Sequence, residues 1–231
     1  MSTTAPHWIE IAPGFAGCLA LPPAGKGPGL LLFQEIFGVN QHIRAVAQQY
    51  AQDGFVVLAP DLFWRQTPRV ELGYAGDDWK RAFALMQGYA PADALADIAA
   101  SAAALRARPE VGGAKVGAIG YCMGGRMAYL AAATAGIDAA APFYGGGIHQ
   151  QLERAAGIAC PVQFHYAGHD DHIPPEAVER VRQAFAGKAA EVHVYPGSMH
   201  GFNCWERASY HAPSAALAHG RALQFLATAL F

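Results

Sequence analysis

The chain has 231 residues, of which 53% are apolar and 15% are charged, and its formal net charge is −2 at pH 7. A chain of this length can bury a substantial core, so we expect a single domain over residues 1–231. The small negative charge and the lack of a basic run exclude nucleic acid and anionic membrane surfaces as expected partners.

The sequence also predicts a cytoplasmic location without membrane contact. Its apolar runs are too short to cross a bilayer, and residues 1–11 lack the charged and apolar regions of a secretory signal. The four cysteines are far apart and form no C-x-x-C pair. This spacing favours free thiols in a reducing compartment.

Strand-like and helix-like segments alternate along the chain. Apolar and β-branched runs predict strands at Trp8–Ile11, Phe15–Leu21, Leu30–Gln34, Phe55–Ala59, Lys115–Ile119, Ala139–Tyr144, Val162–Tyr166 and Glu191–Tyr195. Helical patterns lie at Gln41–Asp53, Asp78–Met86, Ala92–Ala107, Met123–Ala135, Pro175–Ala186 and Ala208–Leu230. Several strands are continuously apolar, which is typical of strands covered on both faces. We therefore expect an α/β fold with a mainly parallel sheet of about eight strands and helices on both faces.

One strand-to-helix turn carries a cysteine between small residues. The segment Gly120–Gly125 reads G-Y-C-M-G-G, the cysteine form of the G-x-S-x-G nucleophile elbow. Such a turn strains the residue at its apex, and side chains at the flanking glycines would clash with the neighbouring strand and helix. The following helix N-terminus also favours negative charge at this point. We therefore expect Cys122 to be a nucleophile.

A thiol nucleophile needs a base and a group that orients the base. His200 follows the predicted strand Glu191–Tyr195, and Asp170 follows the predicted strand Val162–Tyr166. The order Cys122, Asp170, His200 is the nucleophile–acid–base order of α/β-hydrolases, so these residues form the predicted triad. Asp171 is the alternative orienting residue, and Asp170 would then cap the next helix.

The loop after Leu30–Gln34 supplies further candidates. An oxyanion needs two donors, and the backbone N–H groups of Met123 and Ile36 have the expected positions. Glu35 ends an apolar strand, where desolvation raises the pKa of a carboxyl group and lets it exchange a proton with a thiol. A bond to a backbone amide or to an arginine is the alternative role of Glu35.

Several stretches of the chain resemble the dienelactone hydrolases, or carboxymethylenebutenolidases. They are Gln34–Asn40, Phe143–Gly145, Gly120–Gly125, Gly168–Pro174 and His200–Phe202, and the resemblance covers about residues 9–230. It implies an α/β-hydrolase fold, no cofactor, no metal, and hydrolysis of small lactones or activated enol esters through an acyl-cysteine, as in aromatic degradation. By matching position it makes Cys122 the nucleophile, His200 the base, Asp170 the orienting residue and Glu35 the group that activates the thiol, and it assigns the oxyanion-hole amides to Ile36 and Met123.

The sequence departs from this family where a substrate carboxylate is held by two arginines. Cys204 occupies one of these places, with Arg207 three residues later, and Trp79 occupies the other, with Arg81 two residues later. We expect Arg81 to contact the substrate in a pocket lined by Phe37, Trp79, Phe83, Tyr144 and Phe202. Core packing is the alternative for each aromatic residue. The default interpretation of the three nearby arginines is that they are solvated or ion-paired surface residues: Arg81, Arg126 and Arg207.

Two other functions are consistent with the sequence. Zinc could bind a cluster of possible ligands in a metal-dependent hydrolase: His165, His169, Asp170 and His172. A hydrolase fold can also serve as a non-catalytic ligand-binding protein. The zinc cluster shares Asp170 with the triad and leaves Cys122 without a role. We therefore favour a cysteine hydrolase of a small lactone or ester, working as a monomer or small homo-oligomer.

Overall fold

The computed structural model describes residues 5–231, so the first four residues of the expected domain lie outside the described part. The strands are β1 (His7–Ala12), β2 (Phe15–Ala20), β3 (Gly29–Phe33), β4 (Val56–Pro60), β5 (Val116–Tyr121), β6 (Ala139–Phe143), β7 (Val162–His169) and β8 (Ala190–Met199). The helices are α1 (Gln41–Gln52), α2 (Gly76–Gln87), α3 (Pro91–Arg106), α4 (Met123–Thr134), α5 (Pro175–Ala184) and α6 (Ala212–Leu230). Each predicted strand and helix is therefore present.

The strands form an eight-stranded sheet in the order β1-β2-β4-β3-β5-β6-β7-β8. The β1–β2 and β2–β4 pairs are antiparallel, and the remaining pairs are parallel. Every residue of β3, β4, β5 and β6 is buried, as expected for central strands covered on both faces. The mainly parallel sheet predicted from the sequence is confirmed.

The strand order places helices on both faces of the sheet. From β3 the chain first moves to β4 through α1, and then crosses back to β5 through α3. Right-handed crossovers in opposite directions lie on opposite faces, so α1 covers one face while α3, α4 and α5 cover the other. The ring of Tyr50 on α1 lies 5.2 Å from that of His219 on α6, which places α6 beside α1. Helices on both faces are thus confirmed.

Some elements begin or end at other residues than the sequence predicts. Helix α6 begins at Ala212 rather than Ala208, because Pro213 occupies its first turn and backbone turns fill the preceding segment. Strands β7 and β8 continue to His169 and Met199 through a register shift. Asp170 and His200 therefore follow directly after paired strand ends.

The order in which strands are added to the sheet reverses at β3. The chain adds β4 on one side of β3 and then β5 on the other side. Open α/β sheets bind ligands outside the carboxyl ends of the strands at such a switch point. The segments after β3, β5, β7 and β8 meet at this edge of the sheet and carry Glu35, Cys122, Asp170 and His200. Within residues 5–231, no helix is both long and apolar enough to cross a membrane.

Candidate active site

Cys122 lies at the apex of the turn between β5 and α4. Its backbone has φ +57° and ψ −115°, a conformation that non-glycine residues rarely adopt. Its N–H donates to the carbonyl oxygen of Phe143 at 3.0 Å, and its own carbonyl oxygen accepts the N–H of Gly125 at 3.0 Å. These bonds hold the strained turn and leave the side chain half-buried at the wall of a cavity.

The glycines of the turn permit very close packing of α4 on the sheet. A Cβ atom at Gly124 would collide with the backbone carbonyl oxygens of Phe33 and Gln34 at the end of β3. A Cβ atom at Gly120 would collide with the backbone of Gly124 itself. The missing side chains thus bring the start of α4 against the loop that contains Glu35.

We expect Gly124→Ala to lower the free energy of unfolding by roughly 3 kcal/mol or more, because α4 must move away from β3. Denaturant unfolding measures this change. Gly220→Ala is the matched control, since Gly220 is an exposed glycine inside α6 with open space around its Cβ position. This control should be neutral or stabilising by about 0.5–1 kcal/mol. Equal stability of the two variants would contradict the packing argument.

The imidazole of His200 is held by Asp170. His200 Nδ1 and Asp170 Oδ2 are 2.8 Å apart, and the two side chains are 8% and 1% exposed. Asp170 Oδ1 accepts the backbone N–H groups of His172 at 2.9 Å and Ile173 at 3.1 Å. The carboxylate therefore fixes both the ring and its own loop, while Asp171 is exposed beside it.

His200 Nε2 is buried and has no hydrogen-bond partner among residues 5–231. His200 and Cys122 line the same cavity. Burial alone would lower the pKa of His200, but charge on Cys122 and the bond and charge of Asp170 outweigh it and raise the pKa to about 10. The site thus favours an imidazolium ion whenever the thiol carries negative charge.

Glu35 is buried next to Arg207, for which the sequence left both a surface position and a pocket position open. Glu35 Oε1 accepts Arg207 Nη1 at 2.9 Å, and Glu35 Oε2 has no partner in the described part of the chain. Burial raises the pKa of Glu35 against the opposing charge of Arg207. Burial thus disfavours the charged form of this carboxyl group, and the Arg207 guanidinium stabilises that form.

Arg207 belongs to the site rather than to the open surface, and its side chain is only 10% exposed. Its N–H donates to the carbonyl oxygen of Cys204 at 3.1 Å, so one backbone turn brings it next to Cys204. Gly201 has φ +80°, and a Cβ atom there would collide with the Arg207 guanidinium. Arg207 thereby reaches Glu35 although it lies three residues beyond the place expected from the resemblance.

The cavity beside Cys122 has a volume of about 370 Å³. Both predicted oxyanion-hole residues, Ile36 and Met123, line it. Met123 is the first residue of α4, so its N–H has no partner within the helix. Predicted aromatic residues also line the cavity: Phe37, Trp79 and Phe83. Other lining residues were not assigned to the pocket from the sequence: Met86, Arg126, His149, Gln150, His172 and Arg207.

Three of the predicted substrate-binding residues lie elsewhere. Arg81 is exposed on α2 and does not line the cavity. Tyr144 and Phe202 are fully buried, with ring centroids 5.3 Å apart, and the Tyr144 ring lies 5.1 Å from that of His200. Tyr144 thus packs against the imidazole, and Phe202 packs against Tyr144. The sequence could have indicated Arg126 as a residue of the pocket, because it follows Cys122 by four residues on a helix.

The predicted zinc cluster is not brought together. His165 is buried in β7, where Nδ1 is 2.8 Å from the hydroxyl of Tyr195 and Nε2 is 2.9 Å from Gln163 Oε1. His169 is exposed at the end of the same strand. Across residues 5–231, no group of three or more His, Cys, Asp or Glu side chains is arranged to hold a metal ion.

Comparisons with known proteins agree with this geometry. The model of the dienelactone hydrolase family matches residues 15–230. The chain is 33% identical over 215 residues to the carboxymethylenebutenolidase of Pseudomonas putida, covering 92% of this chain and 91% of that protein. It is 39% identical over 210 residues to an Azospirillum brasilense protein that is provisionally named a carboxymethylenebutenolidase, covering 88% and 89%.

A solved structure from Klebsiella pneumoniae, provisionally named a dienelactone hydrolase, superposes with a TM-score of 0.85. It is 31% identical in sequence, and the match covers 98% of this chain and 99% of that one. These findings confirm the α/β-hydrolase fold and the predicted family. The chain belongs to the dienelactone hydrolase family and is a hydrolase that acts on esters or lactones.

Proposed function

We propose that the chain is a cysteine-dependent hydrolase of small lactones or activated enol esters that works through an acyl-cysteine intermediate. The observation that carries this proposal is the strained turn that holds Cys122 in the same cavity as the Asp170-bound imidazole of His200. An exposed, merely structural cysteine would need neither feature. The small volume of the cavity and the family of the chain support a small-molecule substrate.

The acylation step starts from the thiolate of Cys122 with His200 protonated. The sulfur attacks the acyl carbon, and the N–H groups of Ile36 and Met123 hold the oxyanion. The bond between the acyl carbon and the ester oxygen then breaks, and His200 gives its proton to the leaving oxygen. A thiolate is itself a good leaving group, so only substrates that release a stable enolate or phenolate go forward efficiently.

In the deacylation step His200 is neutral and takes a proton from water while that water attacks the thioester. The carbon–sulfur bond breaks, and the thiolate and the protonated imidazole are restored together. The carboxylic acid product then gives its proton to solvent and leaves as the carboxylate. For a lactone substrate, both product groups stay on one molecule.

We assign Glu35 the role of a second base, which takes the thiol proton of Cys122 when substrate binds. In the resting site its carboxylate is held by Arg207, and its second oxygen is free of hydrogen-bond partners among residues 5–231. Displacement of Arg207 from Glu35 on substrate binding would remove this bond, and the buried carboxylate would then gain by taking the thiol proton of Cys122. This step follows the thiol activation expected from the family.

The proposal includes a reducing compartment such as the cytoplasm, because the nucleophile must stay a free thiol. All four cysteines are free in the structure, including Cys122. Catalysis by one protomer is also part of the proposal, since the described residues of one chain supply each proposed group. Monomers and small homo-oligomers are both consistent with it.

The test is a hydrolysis screen of dienelactones, simple lactones and 4-nitrophenyl esters. We expect turnover of activated substrates, loss of activity with iodoacetamide, and full activity in EDTA. Mass spectrometry of acid-quenched reactions should find the acyl group on the peptide that contains Cys122. Inhibition by EDTA, or an acyl group on another residue, would overturn the cysteine mechanism. Tight lactone binding without any turnover would favour a ligand-binding protein instead.

A further inference from the structure

A second arginine faces the cavity without an acidic partner. Arg126 lies on the first turn of α4, four residues after Cys122, so helix geometry puts the two Cα atoms about 6 Å apart along the helix axis. Its side chain lines the cavity and is half-buried. Within residues 5–231 it forms no ion pair and no side-chain hydrogen bond, whereas Arg207 is paired with Glu35.

The residues that line the cavity around Arg126 include several basic side chains and no acidic one. Its lining contains two arginines and three histidines, Arg126, Arg207, His149, His172 and His200, and no aspartate or glutamate. Glu35 neutralises Arg207, so the charge of Arg126 is the one left without compensation. Burial lowers the pKa of Arg126, with the charges of Cys122 and Tyr89 opposing. A half-buried guanidinium of this kind gains from a bound anion.

Further polar groups surround the guanidinium. The Cβ position of Gly147 lies 3.1 Å from Arg126 Nη1 and 3.7 Å from Gln150 Oε1, so both side chains approach this glycine. The Cβ position of neighbouring Gly146 faces open space. His149 and Gln150 line the same cavity. The segment after β6 therefore forms a small polar recess next to Arg126, and Trp79, Phe83 and Met86 of α2 form the apolar wall of the same cavity.

We propose that Arg126, with Gln150 and His149, forms the anion-binding subsite that selects substrates carrying a carboxylate on a short acyl chain. This inference rests on the proposed hydrolase function and specifies its substrate. The guanidinium can bind the carboxylate through two parallel hydrogen bonds, while the scissile carbonyl lies over Cys122. The chain would thus bind its substrate anion from α4 and from the loop after β6, instead of from Arg81 on α2.

The experiment compares two esters that differ in one terminal group: 4-nitrophenyl hydrogen glutarate, which ends in a carboxylate, and 4-nitrophenyl glutaramate, which ends in a neutral amide. Spontaneous hydrolysis is subtracted from each rate. We expect wild type to prefer the carboxylate, and Arg126→Gln to reduce the ratio of the two kcat/KM values at least about tenfold, mainly through KM. Arg126→Lys should retain part of the preference because it keeps the charge.

A control and a binding measurement separate the possible outcomes. Lys80→Gln removes a positive charge from α2 at a side chain that is 80% exposed, and it should keep the wild-type ratio. Glutarate binding to Cys122→Ala is measured by calorimetry with and without Arg126→Gln, and it should weaken about tenfold in the double variant. If wild type hydrolyses neither ester, the proposed hydrolase function fails, while the glutarate measurement still tests the subsite.

Equal loss of activity on both esters would overturn the subsite and show that Arg126 supports the thiolate or the fold instead. An unchanged ratio in Arg126→Gln would overturn it as well. Unchanged glutarate affinity in the double variant would have the same consequence. Circular dichroism of each variant excludes misfolding as the cause of a change.

Discussion

Cys122→Ala is expected to reduce kcat/KM for activated esters by at least about a thousandfold, the scale seen when a nucleophile is removed. The proposed route to the acyl-enzyme needs a sulfur atom at the apex of the turn after β5, and alanine offers no atom that can attack. Cys122→Ser is a sharper test. The hydroxyl group of serine has the same position but is much less acidic than a thiol, so we expect most of the activity to be lost here too.

The matched control for this prediction is Cys160→Ala, since Cys160 is also a free, half-buried thiol. Burial raises the pKa of Cys160 to about 11, so it should stay a neutral thiol at pH 7. We expect wild-type kinetics and normal inactivation by iodoacetamide in this variant. Activity within threefold of wild type in Cys122→Ala would contradict the proposed mechanism.

Asp170→Asn is expected to reduce kcat about a thousandfold or more, because an amide does not hold the imidazole in the required tautomer or stabilise its charge. The carboxylate makes a 2.8 Å bond to His200 and two further bonds to its own loop. Asp171→Asn is the matched control, since Asp171 is the adjacent exposed acid. It should keep nearly full activity. A larger loss in Asp171→Asn than in Asp170→Asn would exchange the roles of the two residues.

The pH dependence of Asp170→Asn has a defined sign. The charge and hydrogen bond of Asp170 help to raise the pKa of His200 to about 10, so the protonated ring persists into the alkaline range. Removal of the charge lowers this pKa, and the alkaline decrease of kcat/KM should move to lower pH. The stability from the raised pKa is fully present below pH 6.5 and is lost as the pH rises toward 10. Rate profiles and urea unfolding between pH 6 and 10.5 measure both effects.

Local pattern was enough to predict the sheet and the order of the proposed catalytic groups. Continuous apolar runs indicate buried parallel strands, and Gly120 and Gly124 around Cys122 indicate close packing of a helix on a strand end. The predicted triad residues follow strands that meet at one edge of the sheet, so topology alone brings them together. Recognition of the family rested on the same residues.

The substrate end of the site depends on contacts that local pattern does not encode. Arg207 reaches Glu35 only because a backbone turn at Cys204 redirects it and Gly201 leaves room for its guanidinium. Arg81 was predicted because it lies two residues from a place where the family resemblance implies an arginine, but it is exposed on α2. Tyr144 was expected in the pocket, but it is fully buried and its ring packs against that of His200.

The proposed catalytic groups and much of the cavity wall come from different parts of the chain. Cys122, Asp170 and His200 follow strands of the central sheet, while the apolar wall comes from α2 and the polar recess from the segment 146–150. An engineer could therefore replace the wall segments to accept a new acyl group without altering the hydrogen bonds that hold the proposed catalytic residues. The same division gives evolution a way to change what is hydrolysed while the means of hydrolysis stays constant.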